Sequence, residues 1–108
     1  MERWQIVENF VKTLSDEKER WDLLPWEQIA ECVKVMSGDG LKKHSVDDWK
    51  DKKPFFRHHT EKLIRHIARF LGGHTYDENS GFDPLAHVIC RTLFLLWGNK
   101  YIRKNKEE

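Results

Sequence analysis

Apolar residues recur at helical spacing along most of this chain. Trp4, Ile6, Val7, Phe10, Val11 and Leu14 predict a first helix over residues 2–14, followed by a charged connector at 15–20. Pro25 suits the first turn of a second helix that runs through Ile29, Cys32, Val33 and Met36. Ser37-Gly38-Asp39-Gly40 is expected to end it, because glycine takes positive φ without strain. Residues 41–53 are polar, with Trp49 as their large anchor, and predict an ordered loop or a short helix. Pro54 opens a third helix with Phe55, Phe56, Leu63, Ile64, Ile67, Phe70 and Leu71 as its apolar stripe, and Gly72-Gly73 stops it. Asp83-Pro84 is a strong helix start, since Asp caps the open amides and Pro fits the first helical position. The fourth helix, through Trp97, is apolar nearly all round. It is therefore expected to be the central, most buried helix, with Leu85, Ile89, Leu93 and Leu96 in the core. The charged stretch 100–108 is expected to fray. No strand pattern competes, which predicts an all-α fold: one domain, 1–108, as a small bundle of four to five helices.

Composition narrows the functional classes. The formal net charge is +1 with 34% charged residues, so no general electrostatic grip on nucleic acid is indicated, and phosphate recognition needs a local basic cluster. Cys32 and Cys90 both lie in apolar helical patterns and read as buried free thiols of a reducing compartment. The charged N-terminus lacks a long apolar run, and the stretch 93–97 is too short to span a bilayer. A cytoplasmic protein without membrane contact is expected. The apolar supply of the first and fourth helices exceeds what one small bundle covers, which predicts a homo-oligomer.

The chemistry-bearing residues cluster on helix faces. His58, Lys62, Arg65 and Arg69 are spaced i, i+4, i+7, i+11 and share one face of the third helix; His59, Lys62 and His66 form an adjoining row. Like charges in such a row repel, and a bound polyphosphate reverses that sign; an ordinary solvated face has the same pattern. On the fourth helix His87 and Arg91 are i, i+4. A buried Arg needs a partner, and Glu27, Glu31, Asp77 or a ligand phosphate all qualify. His87 also fits a satisfied core histidine. Glu27 and Glu31, i, i+4 on the second helix, are the oxygen donors that Mg²⁺ or Mn²⁺ prefers, and Asp77 and Glu78 add acids from a loop. Such an ion would neutralise phosphate charge and activate a water. Trp21, Trp26 and Trp49 offer surfaces for a purine ring or for the core. No glycine-rich phosphate loop, nucleophile elbow, His-x-x-x-His ladder or His-Asp dipeptide occurs.

In order, Arg20-Trp21-Asp22-Leu23-Leu24-Pro25, Lys42-Lys43 with Trp49, Arg65-His66, Asp77-x-x-Ser80-Gly81 and Leu85-Ala86-His87 before an apolar helix resemble a phage family of dATP/dGTP diphosphohydrolases. That family is a MazG-like group of small helical nucleotide enzymes. The resemblance spans residues 20–97 and leaves the first helix outside. It implies an all-α, oligomeric, Mg²⁺- or Mn²⁺-dependent enzyme that cuts purine (d)NTPs between the α- and β-phosphates. It implicates Glu27, Glu31, Lys43, Trp49, His66, Asp77 and His87: Glu27, Glu31, His66 and His87 in catalysis, Glu27, Glu31 and Asp77 at the metal, Lys43 and Trp49 on the nucleotide. The basic row and the fourth helix add Lys62, Arg65 and Arg91 as phosphate contacts. The chain departs from the family's usual residues at His74, Pro84, Arg91, Asp39 and His44. Those changes remove neutral or acidic groups and add a cation, which weakens a metal site and strengthens an anion site. A catalytically silent binder of a nucleotide or cyclic-nucleotide signal is the alternative, and a ligand-free oligomerisation module a third.

Overall fold

The computed structural model describes residues 2–13, 19–40, 45–77 and 80–103. Within them lie four α-helices: α1, Arg3–Thr13; α2, Trp26–Lys34; α3, Phe55–Leu71; and α4, Pro84–Gly98. Wider, π-type turns extend α2 over Val35–Gly40 and α4 over Asn99–Arg103. Short 3₁₀ turns at Trp21–Leu23 and Asp48–Asp51 precede α2 and α3. No strand occurs among the described residues, and the fold is a small all-α bundle.

The helix signals act as their chemistry dictates. Asp83 Oδ1 accepts the Leu85 amide at 2.8 Å and Pro84 begins α4. Gly73, at φ 86°, turns the chain out of α3. α3 and α4 form an antiparallel hairpin: Phe55 meets Gly98, His59 meets Phe94, and His66 meets His87. The first of these contacts is tight, because a Cβ at Gly98 would run into the Phe55 ring. α2 packs on α4 where the Cys90 thiol donates to the Cys32 carbonyl at 3.5 Å, and α1 packs on α2. Both cysteines are buried free thiols; burial pushes the Cys90 thiol up to about 12. The core joins Cys32, Val35, Phe55, Ala86, Cys90 and Phe94, with Trp49 and Trp97 packed against it.

Three expectations are corrected. Gly38 does not take positive φ, since α2 widens into a π-type turn instead of stopping. Gly38 lies close to Phe82: a Cβ there would lie 3.4 Å from that ring. Residues 100–103 continue the helix, because Ile102 packs on the core and the Arg103 guanidinium lies 4.4 Å over the Phe56 ring; the rest of the stretch expected to fray, 104–108, lies outside the described residues. Most important, α4 is central in its contacts but not buried all round. Ile89, Leu93 and Leu96 are 38%, 50% and 65% exposed, and Leu85 is half-buried. Helical spacing puts them opposite His87, Cys90 and Phe94, the residues that face α2 and α3. The matching surprise on α3 is that Ile64, Phe70 and Leu71 are exposed, while Phe55, His59 and His66 are buried against α4.

Candidate functional site

A buried polar network ties α3, the loop 77–82 and α4 together. Asp77 is almost fully buried; its Oδ2 accepts from the Arg69 guanidinium and its Oδ1 accepts the Ser80 amide at 3.0 Å. The turn is closed by the Gly81 amide donating to the Asp77 carbonyl (2.7 Å), with Gly81 at φ 78°. Ser80 Oγ and His87 Nε2 are hydrogen-bonded at 2.7 Å. The His87 ring stacks on His66, centroids 4.3 Å apart and 9° from parallel. Burial, then the neighbouring His87, pushes His66 down to about 4, against the pull of Asp77. His66 is therefore neutral at pH 7, and the 3.6 Å approach of its Nδ1 to Asp77 Oδ2 is not an ion pair. That Nδ1 has no hydrogen-bond partner among the described residues.

Closer to the open end of the α3–α4 hairpin, His59 is fully buried and lies between Trp49 and Arg91. Trp49 itself is committed to the core: its ring stacks on Phe94 at 4.3 Å and meets Trp97 edge-on at 5.1 Å. Beside this pair runs the basic flank of α3. His58, Lys62 and Arg69 are half-buried and Arg65 is exposed, and Arg91 of α4 adds a cation to the same flank. Burial first, then Arg65, Arg91 and Arg69, holds Lys62 below its ordinary value. His58 is lowered by burial and then by Arg91 and Lys62. Positive charge is thus concentrated on a partly desolvated flank, where an anion is favoured.

The family model described as dATP/dGTP diphosphohydrolase, N-terminal, matches residues 9–107. The chain belongs to this family. No curated protein and no solved structure matches it. The match reaches beyond the span 20–97 on which the sequence motifs rest, and takes in part of α1.

Against the diphosphohydrolase reading, the candidate residues separate into groups. Lys62, Arg65 and Arg91 come together on the basic flank, joined by Arg69. His66 and His87 come together too, as a buried stack rather than as open groups. Trp49 packs in the aromatic cluster, with its carbonyl bound by His59. Arg91 donates to His59 Nδ1 at 2.9 Å, a partner that the sequence did not suggest. Lys43 and Glu78 lie outside the described residues. Glu27 is exposed, and Glu31 pairs with Lys34 at 3.4 Å. Among the described residues no three His, Cys, Asp or Glu side chains converge to hold a metal ion. Asp77 spends its two oxygens on Arg69 and the Ser80 amide, so Glu27, Glu31 and Asp77 do not fit a divalent cation within one chain. The sequence placed His59 in the basic row and Ser80 in a loop motif without assigning either the partner it has here. His59 lies one turn from Phe55 on the core face, a spacing that was legible; the link from Ser80 to His87 spans a loop and left no periodic signal.

Proposed function

We propose that the chain binds the polyphosphate of a purine deoxynucleoside triphosphate along Lys62, Arg65 and Arg69 of α3 and Arg91 of α4. In keeping with its family, it releases the monophosphate and pyrophosphate. The supporting observation is the gathering of Lys62, Arg65, Arg69 and Arg91 on one flank, where burial first and then the three guanidinium groups hold Lys62 low; a bound polyphosphate relieves the repulsion among them. His66 and His87 hold the hairpin beneath that flank and do not meet substrate. The reading takes Mg²⁺ or Mn²⁺ only as the counter-ion that the triphosphate carries. In the cytoplasm of a phage-infected cell such a reaction would shape the purine nucleotide pool. The working unit is a homo-oligomer, supported by the exposed apolar face of α4.

One observation favours a second reading, a silent binder that sequesters a nucleotide or cyclic-nucleotide signal: Asp77 is already engaged by Arg69 and Ser80. Incubation with the four dNTPs and Mg²⁺ or Mn²⁺, following pyrophosphate release and melting temperature, separates the two. Release from dATP or dGTP supports the enzyme. A purine-selective thermal shift without release supports the binder, and neither response would refute both.

A further inference from the structure

The partners of His59 settle which of its nitrogens carries hydrogen. The Trp49 carbonyl only accepts, so Nε2 bears the hydrogen and donates at 2.9 Å. The Arg91 guanidinium only donates, so Nδ1 offers its lone pair to Nη1, also at 2.9 Å. Trp49, Phe55 and Phe94 stand edge-on around the imidazole, with centroids 6.5, 4.6 and 5.2 Å away, and leave it one orientation. Burial keeps the ring neutral at pH 7, with its pKa pushed down to about 4. The residue counted from sequence as part of a cationic row is therefore a buried acceptor.

We propose that His59 is a positioning residue: its Nδ1, braced by the Trp49 carbonyl, holds the Arg91 guanidinium at the basic flank in the orientation that meets the nucleotide's phosphates. The inference rests on the nucleotide reading of that flank. A long arginine side chain ordered before the ligand arrives loses less rotamer freedom on binding.

Two conservative replacements separate the two nitrogens. An Asn oxygen reaches the place of Nδ1, so His59→Asn keeps an acceptor for Arg91 and gives up the bond to Trp49. A Gln amide reaches the place of Nε2, so His59→Gln keeps the bond to Trp49 and gives up the acceptor. Calorimetric titration with dATP and dGTP, alongside melting temperatures, is run on the wild type, both variants, Arg91→Ala and the His59→Gln/Arg91→Ala double variant. Both His59 variants are expected to melt lower. His59→Gln is expected to weaken binding about tenfold or more, close to Arg91→Ala, with no further loss in the double variant. His59→Asn is expected to recover most of that loss. Equal losses in the two His59 variants, or full affinity in His59→Gln while Arg91→Ala binds poorly, overturns the proposal. If Arg91→Ala binds as the wild type does, or nothing binds, the nucleotide reading of the flank fails and this inference with it. Nitrogen NMR of the wild type tests the same point without a variant. His59 is expected to remain the Nε2–H tautomer from pH 5 to 8, and a ring that titrates near its ordinary value of roughly 6.5 overturns the proposal.

Discussion

His59 and His66 enter the folded state as neutral rings, each with its pKa near 4 because burial disfavours the charged form. Unfolded, the same rings take up protons below roughly pH 6.5. Their contribution to stability is therefore complete above that pH and is lost as the pH falls toward 4. The slope is roughly 1 kcal/mol per pH unit for each ring. Melting temperature is predicted to fall steeply between pH 7 and pH 5; a flat profile would mean that these rings titrate in the fold as they do in the unfolded chain. Gly98 sets a second test at this scale. Because a side chain there meets the Phe55 ring, Gly98→Ala should destabilise by about 1–3 kcal/mol in thermal or urea melts. A neutral result would show that α3 and α4 can separate at that end.

Between elements, the hairpin of α3 and α4 is glued by polar and aromatic groups rather than by the longest apolar stripes. Phe94 sits at its centre, stacked on Trp49, whereas its neighbour Leu93 is half exposed. Phe94→Ala should cost about 3–5 kcal/mol, and Leu93→Ala clearly less in a monomeric state, by denaturant titration. Equal costs would place both residues in one core. The helices themselves were legible: spacing, the Asp83-Pro84 start and the Gly72-Gly73 stop act locally and need no tertiary knowledge. Which face of a helix turns inward was not. On α3 the histidines won the inner face over Ile64 and Leu71 because His59 and His66 align with Phe55 and meet Trp49 and α4. The site was half legible for the same reason. The basic row shares one helix and shows in the spacing. The pairings of Arg91 with His59 and of Asp77 with Arg69 depend on how segments meet.

For the molecule as a whole, the accessible surface is 8230 Å², against roughly 6300 Å² for a compact monomer of this mass. The radius of gyration is 15.7 Å, against roughly 13 Å for a compact domain of this length. Ile89, Leu93 and Leu96 form one exposed apolar face, on α4, and charge there is predicted to break self-association. Light scattering of the wild type at micromolar concentration is expected to give a multiple of 13.0 kDa. Leu93→Glu with Leu96→Glu is expected to give a helical monomer. A monomeric wild type would contradict this.

The basic flank of α3 together with Arg91 is proposed as the place where a purine dNTP binds. Titration of dATP and dGTP into the wild type and Arg91→Ala, with a melt of each protein, is the sharpest test. Arg91→Ala is expected to lose about 1.5–3 kcal/mol of binding free energy while the protein remains folded at the titration temperature. A lower melting temperature with unchanged affinity would contradict this and leave Arg91 with a structural role.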